Sequence, residues 1–217
     1  MKNCHGRIVM LRQAGLEDSL ITTTSELLIS GEEEIKSFDV VVPKEGQLAV
    51  AMVRSVGVKP NEVFSSFEGK LTCLSSHGKA IADINETKMS AYAATSQDGS
   101  PLDGVLLTPH GIDTSKPAPT IVLVHGGPYS RVTCSFDPIM FNLAQYLASG
   151  GYQVLCPNYR GNSSHGDKYA SALQGKIGVQ DYEDIIDIIQ DGIEGSIDKE
   201  RAAIGGWSQG GFLSYLA

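Results

Sequence analysis

Positive charge is the first thing this chain is short of. Seventeen Lys and Arg face 25 Asp and Glu, a net charge of −8 over 217 residues. Such a balance leaves no electrostatic footprint for DNA, RNA or an anionic membrane, so neither nucleic acid nor a membrane is expected as a partner. Cysteine is scarce as well. Cys4, Cys73, Cys134 and Cys156 stand far apart without a C-x-x-C pair. That pattern argues against a zinc site or a disulfide framework and for thiols in a reducing compartment. Long apolar runs are missing: residues 120–124 form one of the longest, far below the ~20 residues that span a bilayer. Residues 1–7 are polar with no apolar segment behind them, so with Met1 as the start a cytoplasmic location is expected. No G-x-x-x-x-G-K-[ST] occurs, and Gly205-Gly206 therefore cradles no phosphate. Neither a metal nor a cofactor is expected.

What is present is enough for a packed core, with 41% apolar and 19% charged residues. Two textures follow one another, and they divide the chain at residues 1–87 and 88–217. The first part carries short runs rich in Val, Ile, Leu, Thr and Ser at 8–11, 19–23, 27–29, 37–42, 48–53, 62–66 and 71–75. Turn sequences separate them at Gly31-Glu32, Lys44-Glu45-Gly46, Pro60-Asn61 and Glu68-Gly69. Regular short strands of this kind suggest a sandwich, a barrel or propeller blades. At roughly 40 residues per blade this region holds about two, short of the four that close a propeller. Glu32-Glu33-Glu34 reads as a solvated turn.

From about residue 88 strands alternate with helices. Runs 91–95 and 105–108 flank Gln97-Asp98-Gly99-Ser100, a hairpin sequence. Runs 120–124 and 153–156 are apolar throughout, as in strands covered on both faces. One helix is expected over 136–149, with Ile139, Phe141, Leu143, Ala144 and Leu147 as its apolar stripe and Gly150-Gly151 as its stop. A second is expected over 179–193, with Ile185, Ile186, Ile188 and Ile189 inward and Asp181, Glu183, Asp184 and Asp187 outward. This alternation predicts an α/β region with a parallel sheet covered on both faces.

The chemistry concentrates in Gly206-Trp207-Ser208-Gln209-Gly210-Gly211, directly after a short apolar run at 202–204. It fits G-x-S-x-G, in which a sharp strand-to-helix turn exposes the serine and flanking glycines make room for it. A second element is His125-Gly126-Gly127-Pro128, at the end of the 120–124 strand. The loop at that place in α/β hydrolases lends a backbone N–H to an oxyanion hole, and a glycine permits the close approach. His125 itself reads as a structural residue, because the catalytic histidine of this fold follows the serine. Asn85-Glu86-Thr87 and Asn162-Ser163-Ser164 match the glycosylation sequon, a pattern frequent by chance.

Together these elements resemble the prolyl oligopeptidase family of serine peptidases. The resemblance runs through Ser96-Gln97-Asp98-Gly99, the 121–128 segment, Gly151-Tyr152-Gln153-Val154-Leu155, Asn158-Tyr159-Arg160-Gly161-Asn162-Ser163, His165-Gly166 and Asp198-Lys199-Glu200-Arg201 to Ser208. It implies the first half of an α/β-hydrolase fold, preceded by the last strands of a β-propeller. It also implies Ser208 as nucleophile, Gly127 and Gln209 as backbone oxyanion donors, short peptides as substrates, and a homo-oligomer for the full-length parent. Prolyl oligopeptidases and dipeptidyl peptidase IV-type members carry a tyrosine where this chain has His125, so the resemblance leans to the acylaminoacyl-peptidase branch.

The rest of a triad is not in its expected place. Triad order in this fold is Ser, then Asp or Glu, then His, yet no Asp, Glu or His follows Ser208 among residues 209–217. A serine without its base is a poor nucleophile at neutral pH. The expectation is therefore a C-terminally truncated peptidase, inactive on its own. A carboxylesterase or lipase on the same fold and a non-catalytic fragment are the rival readings. Pro128 counts against the first rival, whose usual oxyanion loop is His-Gly-Gly-Gly.

Overall fold

A computed structural model describes residues 6–17, 20–31, 34–41, 48–80, 87–136 and 140–217. The first described elements are strands only. β1 (Gly6–Glu17) and β2 (Leu20–Gly31) pair as an antiparallel hairpin. The two runs expected at 19–23 and 27–29 are thus one strand. β3 (Glu34–Val41), β4 (Ala49–Val56), β5 (Lys59–Phe67) and β6 (Lys70–Cys73) form a four-stranded antiparallel meander. Its small core is Val50 and Met52, packed by Ile35, Val40 and Phe64. The Glu68-Gly69 turn forms as expected, with φ positive at both residues (51° and 74°), the geometry that matches the twist of the flanking strands. Pro60-Asn61 is not a turn. Both residues lie inside β5, and the reversal falls on Gly57-Val58 instead. The turn expected at 44–46 lies outside the described residues.

The second part is α/β, with a five-stranded sheet of β7 (Lys88–Thr95), β8 (Pro101–Thr108), β9 (Ala118–Val124), β10 (Gln153–Asn158) and β11 (Ile197–Gly206) in the order β11-β9-β10-β8-β7. The sheet is mixed, where a parallel one was expected. β9, β10 and β11 are mutually parallel, while the β7–β8 hairpin joins through an antiparallel β8–β10 pairing. A two-strand hairpin must run antiparallel, so its inclusion reverses part of the sheet.

Helices cover both faces. α1 (Met140–Ser149) lies on one, α3 (Gln180–Gly195) and α4 (Gln209–Leu216) on the other, with a single turn α2 (Asp167–Ala170) between β10 and α3. Period-2 alternation assigns the strand residues to these faces. Val122, Val124 and Leu155 join Ile185, Ile188 and Leu213, while Leu123, Val154 and Cys156 join Ala144 and Ala148. On α1 the buried pair is Ala144 and Ala148, and Leu143, expected inward, is exposed. Ile139 and the side chain of Phe141 lie outside the described residues.

The first part docks on the second through the segment 133–136. Gly57 N donates to Cys134 O (3.2 Å), and Phe136 N donates to Ser55 Oγ (2.6 Å). Glu34 is no part of a solvated turn: it starts β3, half-buried, and accepts hydrogen bonds from Lys36, Thr133 and Ser135. Among the described residues no helix is long and apolar enough to cross a membrane.

Candidate active site

β11 ends at Gly206 and α4 begins at Gln209, so Trp207 and Ser208 turn the chain between them. Ser208 has φ 56° and ψ −122°, a conformation that costs a residue with a side chain about 1–3 kcal/mol. The turn closes through Trp207 N on Val124 O (3.2 Å), Gly210 N on Trp207 O (2.9 Å) and Phe212 N on Ser208 O (3.1 Å). The flanking glycines are required for space. A Cβ on Gly206 would sit 2.6 Å from Val124 O and from the Gly210 carbonyl, and one on Gly210 would collide with the carbonyls of Val124 and His125. The result is an exposed serine at the head of a helix, above the carboxyl end of the central strands.

The loop after β9 passes beside it. A Cβ on Gly126 would lie 3.1 Å from Ser208 Cβ and 3.7 Å from its Oγ; one on Gly127 would lie 2.9 Å from Gln209 Oε1 and 3.0 Å from the Tyr159 hydroxyl. Gly127 therefore lies against the Gln209 side chain, while Gly126 faces Ser208. The Gly127-Pro128 peptide is cis. The far side of the loop is held by Asn158, whose amide accepts from Val132 N (2.7 Å) and donates to Val132 O (2.8 Å) and Asp103 Oδ1 (2.7 Å).

His125 is buried and stacked on Tyr159, with ring centroids 4.6 Å apart, and the Tyr159 hydroxyl donates to His125 O (2.9 Å). Burial holds the His125 imidazole below its usual pKa, so it is neutral at pH 7. His165 pairs with Asp103 Oδ2 at 2.8 Å. Among the described residues no imidazole is hydrogen-bonded to Ser208.

Two acidic residues read as outward are fully buried: Asp181 and Asp184 on α3. Asp184 accepts Arg160 Nε (2.9 Å), Nη2 (2.6 Å) and backbone N (2.8 Å), and Arg160 also bonds Asp98 on the hairpin tip. These two carboxylates hold the Arg160 guanidinium charged, well above its usual pKa. Asp181 accepts Gly178 N (2.7 Å), Tyr182 N (3.1 Å) and Gln209 Nε2 (2.8 Å). Sequence periodicity placed both acids on a polar face; it does not see Arg160, on the loop after β10, or Gln209, at the head of α4, which fold against them. Asn162 is also fully buried and donates to Tyr159 O, so the second sequon offers no accessible amide. Asn85, of the first, lies outside the described residues.

A serine turn between strand and helix, on a sheet covered by helices on both faces, defines an α/β protein of the hydrolase kind. The family model "Prolyl oligopeptidase family" matches residues 139–217. Over 103 residues (47% of this chain, 13% of the relative) the sequence is 40% identical to an acylamino-acid-releasing enzyme of Arabidopsis thaliana. It is also 40% identical over 114 residues (52% and 15%) to the mouse prolyl endopeptidase FAP. The structure matches that of Pyrococcus horikoshii acylaminoacyl peptidase at a TM-score of 0.73 and 25% identity, covering 91% of this chain and 31% of that one. Over these segments the chain is similar to members of the prolyl oligopeptidase family. It spans well under a third of the length of the curated relatives it matches.

Proposed function

We propose that this chain is the nucleophile-bearing part of a serine peptidase of the acylaminoacyl- and oligopeptidase-like kind, acting on short peptides. In this reading residues 88–217 carry the chemistry, residues 1–87 are propeller-like strands beside it, and the full-length protein is a cytoplasmic homo-oligomer. The observation that carries the reading is the strained Ser208, exposed next to the Gly126-Gly127 loop. Ser208 Oγ attacks the peptide carbonyl carbon, and its proton passes to a base. The oxyanion forms against the N–H groups of Gly127 and Gln209. Collapse expels the amine, which takes up the proton, and leaves an acyl-enzyme that water hydrolyses. No Asp, Glu or His follows Ser208 within the 217 residues, so a base in triad order would have to come from outside them. The chain by itself is accordingly proposed to be inactive.

Fluorophosphonate labelling with Ser208→Ala as control tests both halves of this reading. The expected result is no specific labelling in buffer, and Ser208-dependent labelling once free imidazole supplies a base. Absence of labelling in imidazole, with the protein folded, would overturn Ser208 as nucleophile. Rapid labelling without imidazole would overturn inactivity of the chain alone and point to a base recruited from His125, His165 or a second copy.

A further inference from the structure

Asp181 is buried completely, on the helix face that reaches the serine turn. A buried carboxylate is retained only where donors replace water. Here one oxygen takes the backbone N–H groups of Gly178 and Tyr182, at the start of the 16-residue α3 where the helix dipole favours a negative group. Among the described residues the other takes Gln209 Nε2 alone, at 2.8 Å. The Gln209 amide nitrogen donates to this carboxyl oxygen, so the contact dictates how the Gln209 amide is turned. Its nitrogen faces Asp181, and its oxygen faces away.

That oxygen is the atom a Cβ on Gly127 would meet at 2.9 Å, with the Tyr159 hydroxyl at 3.0 Å on the same side. Tyr159 in turn donates to His125 O, at the root of the same loop. The Gln209 side chain is thus a spacer. One end is fixed to α3, the other rests against the backbone of Gly127, and Gln209's own N–H heads α4.

We propose that Asp181 is a positioning residue: by orienting the Gln209 amide, it sets the separation of the Gly127 and Gln209 backbone N–H groups on either side of Ser208. This rests on the reading of those groups as oxyanion donors. Asp181 touches no substrate. Its effect reaches the reacting oxygen only through Gln209.

A charge-exchanged pair tests it, using imidazole-supported fluorophosphonate labelling as the rate. Gln209→Glu sets two carboxylates against each other and is expected to slow labelling about tenfold or more, up to the ~10²–10³ that loss of one oxyanion donor costs. Asp181→Asn combined with Gln209→Glu restores the contact with donor and acceptor exchanged. It is expected to recover most of the rate, a non-additivity that marks direct coupling. Melting temperature is followed in parallel. A double variant that regains stability and not labelling would make the contact merely structural and overturn the proposal, as would a Gln209→Glu rate equal to wild type. Should Gln209→Glu not fold, Gln209→Met removes the hydrogen bond without adding charge, and unchanged labelling in it would overturn the proposal. Wild-type protein that fails to label in imidazole would instead defeat the nucleophile assignment itself.

Discussion

Ser208 combines a side chain with a positive φ that favours glycine. Ser208→Gly should therefore stabilise the fold by about 1 kcal/mol relative to Ser208→Ala, which keeps the strain; urea unfolding of the two variants measures the difference. Gly206 and Gly210 pose the opposite problem. An added methyl would press on backbone carbonyls of β9 and the elbow, which have no freedom to move aside, so Gly206→Ala and Gly210→Ala should each lose about 1–3 kcal/mol or more. Thermal unfolding would show it. The G-x-S-x-G spacing made this need legible in the sequence, because the pattern itself encodes a turn with no room beside the serine. The burial of Asp181 was not legible. Its i, i+3 relation to Asp184 on a helix reads as a polar face until Gln209, 28 residues away, is folded against it.

At the scale of elements, Arg160 ties three pieces together: the loop after β10, the tip of the β7–β8 hairpin through Asp98, and α3 through Asp184. The two carboxylates differ in burial, with Asp184 enclosed and Asp98 half exposed. Removing Asp184 leaves a buried guanidinium underpaired, so Asp184→Ala should cost about 3–5 kcal/mol. Asp98→Ala, screened by solvent, should cost about 0–1 kcal/mol from the ion pair. Chemical denaturation distinguishes the two. A second junction, Glu34 against Thr133 and Ser135, carries a pH signature. Burial alone would raise the Glu34 carboxyl, but hydrogen bonds from Lys36, Ser135 and Thr133 outweigh it and hold the group below the usual 4.5. A depressed folded pKa gives stability that is present above 4.5 and lost as pH falls through the folded value. The stability gap between wild type and Glu34→Gln should therefore shrink as pH drops below about 4.5, measurable by denaturation across pH 3–6. The helix and strand runs around these junctions were legible from periodicity and turn residues. The junctions themselves join residues up to 101 positions apart, beyond any local pattern.

For the molecule as a whole, β11 pairs with β9 alone among the described strands, and Ala202 and Ala203 on it are exposed. An exposed apolar edge invites pairing with another chain. Ala203→Lys should reduce concentration-dependent association in light scattering without lowering the melting temperature. The amino-acid sequence by itself determined what repeats locally: the strand-rich first part, the strand–helix alternation of the second, and the Ser208 turn beside Gly126-Gly127. Each of these is a matter of side-chain period or of room for the backbone within a few residues. Only the tertiary structure decided that the sheet is mixed, that Glu34 faces the loop rather than water, and that Asp181 and Asp184 are interior. Those outcomes hinge on donors arriving from distant segments, and a buried carboxylate is stable only once such donors are in place.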